Sequence, residues 1–540
     1  MRLSLTFLSL SLLTILVGSS HADLLPADTP IPQVIDHYIN TPLQEQGIAP
    51  APLLDDRGFL RRVSLDLVGR IPTLAETQAF VSSSDPAKKV QLVDALMASG
   101  GYLRHQVTEF DTMLAPENAG RRNGNLRGYL TAAFKENRSW ERIFRDLIVA
   151  DEKEPVQKGA SQFLKSRVKD LDRLTTEVSV LFFGVNISCA QCHDHPLVHD
   201  WKQDHYYGMK SFFARTYEVG QFLGERDQGS VQFKTTKNVT KSARMMFLTG
   251  KVVDAPGMDA PADGKPNKAN KKNKDNPASP PPPPKFSARA ALAELALQPG
   301  QNDFFARSIV NRIWHRLFGL GLVTPIDQMH SENAPSHPEL LQWLARDLVA
   351  HGYDLRRLIR GIVLSDAYAR SSRFEGEKTP PVRSFGVARL RALTPMQLAT
   401  SLRIASSDPE QFPANLKAEE LDRKIEAVEN SARGFASLLE QPRDDFQISV
   451  SEALLFSNSD RVHKEFLSDG SDRLLGRLKK IANPEQAVEL AVQTVLNRPA
   501  SAEEKKAMVD YLAARSDRLT EGYRQMVWAL LSSAEFRFNH

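Results

Sequence analysis

Residues 139–149 read SWERIFRDLIV, and their spacing decides the fold class. Trp140, Ile143, Phe144, Leu147 and Ile148 fall at i, i+3, i+4, i+7 and i+8, which gathers them on one face of a helix. Ser139 stands where a side-chain oxygen caps the first turn. The same period recurs at Leu171, Leu174, Val178, Leu181, Phe182 and Val185. It returns in 304–319, FFARSIVNRIWHRLFG, where Phe305, Ile309, Ile313 and Leu317 step by four and Gly319 can end the helix. Stop and start signals agree. Thr73 and Glu76 form a capping-box pattern, Asp85 precedes Pro86, Ser336 and Glu339 form a second box with Gly352 past its helix, and Asp354 opens another helix. Alternation of apolar and polar residues is confined to 230–253, around Val231 and Phe233. The expectation is a mainly α fold, two helical domains with a small β insertion before a disordered Lys/Pro-rich linker. The boundaries read as 1–22 for a leader, 23–220 for the first helical domain, 221–255 for the β insertion, 256–285 for the linker and 286–540 for the second helical domain.

Composition bounds the function. The chain has 540 residues, 41% hydrophobic and 25% charged, a balance that excludes wholesale disorder and collagen-like repeats. Two cysteines rule out a disulfide scaffold, several zinc ribbons and a cysteine-ligated iron–sulfur cluster. The formal charge of +4 is local. Without Arg2 of the leader, 68 basic residues face 65 acidic ones, and the linker holds six lysines against three aspartates, so the remainder is neutral. Nine of the 32 prolines also lie in that linker, five of them in a row from Pro280 to Pro284. A basic face for nucleic acid is therefore not expected. The opening MRLSLTFLSLSLLTILVGSSHA has a basic start, an apolar run and small residues at Ser20 and Ala22, the pattern of a cleaved secretory signal. Its apolar run is too short for a spanning helix, and no later stretch is long enough without charges. The expectation is an exported protein, periplasmic or extracellular, with no transmembrane segment in the mature chain.

Both cysteines fall in Cys189-Ala190-Gln191-Cys192-His193, a CxxCH. Two thiols about one turn apart match the two vinyl groups of a haem, and the adjacent imidazole matches the iron's proximal position. Cofactor-binding residues on this reading are Cys189, Cys192 and His193, with haem c as cofactor and His193 axial. Other readings stay open. Zinc or another transition metal could be held by the cysteines with His193, His195, His199 and His205. A redox dithiol or a structural disulfide also fits a CxxC. A sixth iron ligand is a choice among the nearby histidines, Met209 and the remote His330, His337 and Met246.

Other constellations carry less. There is no phosphate loop, no complete dinucleotide fingerprint and no nucleophile elbow. Asp194 and Asp204 read as hydrogen-bonding groups rather than acid–base catalysts, and Trp201, Tyr206, Tyr207, Phe212 and Phe213 read as core. Arg307, Asn311, Arg312 and His315 read as an interhelical polar network. Whether the protein is an enzyme is left open. Electron transfer or sensing by bound haem leads, and a non-haem metal scaffold or a metal-dependent hydrolase outside the cytoplasm is the alternative. Redox or extracellular enzyme proteins are the expected partners.

Two long strings carry a family resemblance. RRVSLDLVGRIPTLAETQAF at 61–80 and CAQCHDHPLVHDWKQDHYYGMKSFFAR at 189–215 resemble the planctomycete cytochrome C-like domain, domain-of-unknown-function family 1549. FFARSIVNRIWHRLFGLGLVTPID and SHPELLQWLARDLVAHGYDLRRLIRGIVLSDAYARSS, with the closing WALLSSAEFRFNH, resemble its usual partner, family 1553. The resemblance implies a relationship to c-type cytochromes carried here by Cys189, Cys192 and His193, and no settled activity.

Overall fold

The structure is a computed structural model that describes residues 24–115, 124–257, 280–301, 303–442 and 450–540. The expected leader and positions 258–279 of the expected linker lie outside the described residues. The fold is mainly α, as the periodicity predicts. Trp140–Val149 forms with all five periodic apolar residues fully buried and Ser139 accepting from the Arg142 amide. Leu171–Phe183 and Asp303–Phe318 follow, the latter closed by Gly319 at φ +74°. The Thr73–Glu76 box closes in both directions. The Ser336–Glu339 box does not form, because the helix starts at Pro338 with His337 before it and no side-chain cap.

The β component consists of two-stranded antiparallel sheets. Three hairpins run from Thr216 to Val253, so pairing begins a few residues before the expected insertion. A fourth sheet pairs Arg391–Ala392 with Phe538–Asn539 and ties the end of the described chain to its middle.

The apolar core does not divide at the linker. One buried cluster runs from Ile31 to Phe385, and the helices on either side of 258–279 interleave within it. Phe305 is the clearest instance: its ring lies 4.7 Å from Phe144 and stacks at 8° on Trp140. Both ends of the linker are held on one loop. Arg215 donates to Pro256 O and Asp227 O, while Asp227 accepts from the Lys285 amide at 2.7 Å. A second cluster comprises residues from Leu393 to Phe536 together with Leu65 and Ile71 from near the start of the chain.

Helix Asp56–Val68 joins the two clusters. It is buried from Phe59 to Val68, including Arg61, Arg62, Ser64 and Asp66, so its polar residues must be satisfied inside the protein. Asp66 accepts four hydrogen bonds: two from Arg391 at 2.7 Å each, one from Tyr368 Oη at 2.6 Å and one from Asn539 Nδ2 at 3.0 Å. Arg61 donates to Asn497 Oδ1 and Phe536 O, and Arg62 to the carbonyls of Tyr368 and Arg370. Burial lowers both guanidinium pKa values to about 10, still far above neutrality, so the carbonyls receive charged donors.

Breaking a buried ion pair by removing one partner costs about 3–5 kcal/mol. Asp66→Asn is expected to lose that much in urea unfolding, because its amide would face donors from Arg391 and Asn539; a loss under about 1 kcal/mol would contradict the burial of this pair. Residues 286–540 expressed alone lack Leu65 and Ile71 and are expected to show no cooperative unfolding transition.

Candidate functional site

The CxxCH loop starts where helix Leu171–Phe183 stops at Gly184, φ +67°. A Cβ there would meet Met329 Sδ at 3.0 Å and Ser308 Oγ at 3.2 Å, so both conformation and space require glycine. The chain then pairs with a segment from the other side of the linker: Val185 bridges Gln328, and the Asn186 amide donates to Asp327 O at 2.8 Å. Asn186 Oδ1 accepts from the amide and hydroxyl of Ser188 and sets the turn Ser188–Gln191. Ile187 and Ala190 plug the core, which leaves Cys189, Cys192 and His193 on the outer side, all exposed. Both cysteines are free thiols.

Helix Gln203–Ser211 holds the backbone of this loop. Tyr207 Oη donates to Gln191 O at 2.9 Å and Gln203 Nε2 to Cys192 O at 3.1 Å. Asp194 accepts from the Gln203 amide at 2.9 Å and so caps that helix. Asp204 meets Lys241 at 3.3 Å, and Asp200 accepts twice from Ser331. Trp201, Tyr206, Phe212 and Phe213 are buried in the core as their pattern implied, while the Tyr207 ring stacks on Phe233 at 4.2 Å. The carboxylates near the motif therefore hold backbone and side chains in place.

Hydrogen bonding sorts the histidines. His193 Nδ1 lies 2.7 Å from Asp194 O. A carbonyl only accepts, so the proton is on Nδ1 and the Nε2 lone pair is free, the arrangement a metal-bound imidazole uses. His195 has the opposite arrangement, since its Nδ1 accepts from the amides of Leu197 and Val198. His205 Nδ1 likewise accepts from the Lys202 amide, and burial together with the Lys202 charge holds its pKa below the ordinary value. In the neutral form both carry their proton on Nε2 and offer no lone pair there. His199 is exposed. Among the described residues no group of three or more His, Cys, Asp or Glu is disposed to hold a metal ion, and the zinc set of Cys189, Cys192 and histidines from His193, His195, His199 and His205 is not assembled. Residues 189–205 line none of the three described cavities.

Of the remote candidates, His330 comes near His195 and Asp200, with Nδ1 shielded from solvent. His337 is buried beside Phe385, which lowers its pKa to about 4. Met246 lies across Gly208, where a Cβ would come within 2.5 Å of it. Met209 is core. In the helix after the linker, Arg312 donates to Val180 O of helix Leu171–Phe183, an interhelical link of the kind expected, whereas Asn311 bonds both ways to Val323 in the loop that follows its own helix. Arg312 and His315 also line a cavity of about 470 Å³ with Arg316, His105 and Glu109, residues no sequence pattern had brought together.

Residues 34–218 match the family model described as PSCyt2, protein of unknown function (DUF1549), and residues 288–512 match PSD1, protein of unknown function (DUF1553). The chain carries this pair of domains in that order. The first name places the region among planctomycete-type, cytochrome-like domains. No curated protein matches the chain, and no solved structure does. The DUF1549 region contributes Arg61, Arg62, Asp66 and the whole CxxCH loop; the DUF1553 region contributes Tyr368, Arg370, Arg391 and the Asp327–Gln328 segment that receives the loop.

Exposed thiols on a fixed backbone react without unfolding. Under reducing conditions the native chain is expected to take up two iodoacetamide adducts at a rate close to that of a short CxxC peptide, read by mass spectrometry; protection of both thiols until denaturation would contradict the geometry of this loop.

Proposed function

We propose that the protein is an exported c-type haem protein that serves in electron transfer or sensing, with haem held by Cys189 and Cys192 through thioethers and by His193 as axial ligand. The observation that carries this reading is the state of His193. Its Nδ1–H is committed to Asp194 O and its Nε2 is free, one residue beyond two exposed thiols. Thioether formation adds each S–H across a vinyl double bond, sulfur to one carbon and hydrogen to the other, so it needs reduced thiols that a haem can reach. The loop supplies them on a backbone held by Tyr207 and Gln203. Bound haem would supply a one-electron centre, or an open iron site if no sixth ligand is taken.

Export is supported by the leader pattern of 1–22 and by the chemistry, since covalent haem attachment belongs to compartments outside the cytoplasm. Among the described residues no helix is long and apolar enough to cross a membrane. A non-haem metal scaffold is less well supported, because His195 and His205 point their available lone pairs at backbone amides.

The test is expression of the full chain in a host with cytochrome c maturation machinery. One haem mass that survives denaturation is expected, lost in Cys189→Ser/Cys192→Ser. An unmodified mass with no haem absorbance would overturn the reading, and stoichiometric zinc without iron would favour the metal scaffold instead.

A further inference from the structure

The cavity of about 470 Å³ lies where the two cores meet, and its volume is that of a small-molecule site. One wall comes from Phe110, Met113, Ile309 and Ile313 and is apolar. The other carries an excess of cations. Among the described residues four arginines, Arg312, Arg316, Arg389 and Arg391, share the lining with two acidic residues, Asp66 and Glu109.

The charges do not cancel. Arg391 and Asp66 neutralise each other in the bidentate pair already described. His105 is held below its ordinary pKa by burial, with Arg316 adding to the effect, and so adds no charge near neutrality; it stands 4.0 Å from Glu109. Among the described lining residues that leaves Arg312, Arg316, Arg389 and His315 beside one carboxylate, Glu109, with Arg312 also drawn by the charge of Asp327 from outside the lining. Arg312, Arg316 and Arg389 form no ion pair among the described residues. Among the described residues the Arg316 guanidinium makes no hydrogen bond, with Nε and Nη2 shielded from water; it lies 6.0 Å from the centroid of the Phe110 ring, and its backbone oxygen accepts from Arg391. A partly desolvated guanidinium without a counter-charge is costly, and proteins keep such groups where a ligand supplies the missing charge.

The site is also built rather than incidental. Arg391 is pinned by Asp66, and Arg312 by Val180 O. Gly319 lets Arg391, at the start of strand Arg391–Ala392, lie against the end of helix Asp303–Phe318, since a Cβ there would sit 2.8 Å from Arg391 Cγ. We propose that this cavity binds an organic anion, an oxyanion head on an apolar body, with Arg316, Arg312 and Arg389 as its charge partners and Phe110, Ile309 and Ile313 against the body. Guanidinium forks match the planar head, and the apolar wall distinguishes an organic acid from an inorganic ion. The inference is independent of haem attachment, because no residue of the CxxCH loop lines the cavity.

Titration calorimetry of the full chain tests it with 2-naphthoate, its neutral alcohol 2-naphthalenemethanol, and inorganic phosphate. Naphthoate is expected to bind with Kd below about 1 mM, and the alcohol and phosphate at least about tenfold more weakly. Arg316→Gln is expected to weaken naphthoate about tenfold or more, and added salt to weaken it further. Arg389→Gln, at a half-buried lining position outside both buried clusters, is the second variant should Arg316→Gln not fold, with the same weakening expected. Absence of naphthoate binding, or affinity unchanged in both variants, would overturn the proposal. Phosphate binding as tightly as naphthoate would overturn its organic part.

Discussion

The carboxylate of Asp66 is the point on which the two cores turn. It is buried, all four of its acceptor positions are filled, and its donors come from three distant parts of the chain: Tyr368, Arg391 and Asn539. A buried charge tolerates no partial solution, so helix Asp56–Val68, strand Arg391–Ala392 and strand Phe538–Asn539 have to assemble together. Arg61 and Arg62 extend the same logic to backbone carbonyls at Phe536, Tyr368 and Arg370. The RRVSLD string therefore works as a structural joint between the DUF1549 and DUF1553 regions, which gives a physical reason for the two to occur as a pair.

The CxxCH loop depends on that joint at one remove. Its entrance is held by Asp327 and Gln328, beyond the linker, and its exit by helix Gln203–Ser211. The result is a hydrogen-bonded backbone that leaves the side chains of Cys189, Cys192 and His193 exposed. Rigidity in the support and exposure at the tips suit attachment of a large planar group, and they distinguish this loop from a buried structural zinc site, where the side chains themselves would converge. The three neighbouring aspartates take part in the support, which explains why acidic residues gather beside the motif without forming a reactive cluster.

Local signals were legible in the sequence and distant ones were not. The stripe of Trp140 to Ile148, the Thr73–Glu76 box, the Asp354 cap and the stop at Gly319 depend on residues within a few positions of each other, and each formed. The Ser336–Glu339 box is a local signal that failed, because Pro338 begins the helix and His337, packed on Phe385, takes the flanking position. The loop's accessible thiols follow from the motif, but the separation of His193 from His195 and His205 does not: it is decided by which backbone group each Nδ1 meets. The three partners of Asp66 lie hundreds of positions from it in sequence, the arginine-lined cavity gathers residues equally far apart, and the short Arg391–Asn539 pairing has too little alternation to register as a strand.

The fold joins its two regions through a dense set of buried polar contacts, and on the resulting body it presents the CxxCH loop with both thiols exposed. On the function proposed above, both thiols of that loop carry haem. The most direct measurement is the visible spectrum of the matured protein in alkaline pyridine under reduction, which reports how many vinyl groups remain on the haem. The α-band of a haem with both vinyl groups saturated by thioethers is expected; the band of unmodified protohaem, or no haem band, would contradict attachment at both cysteines.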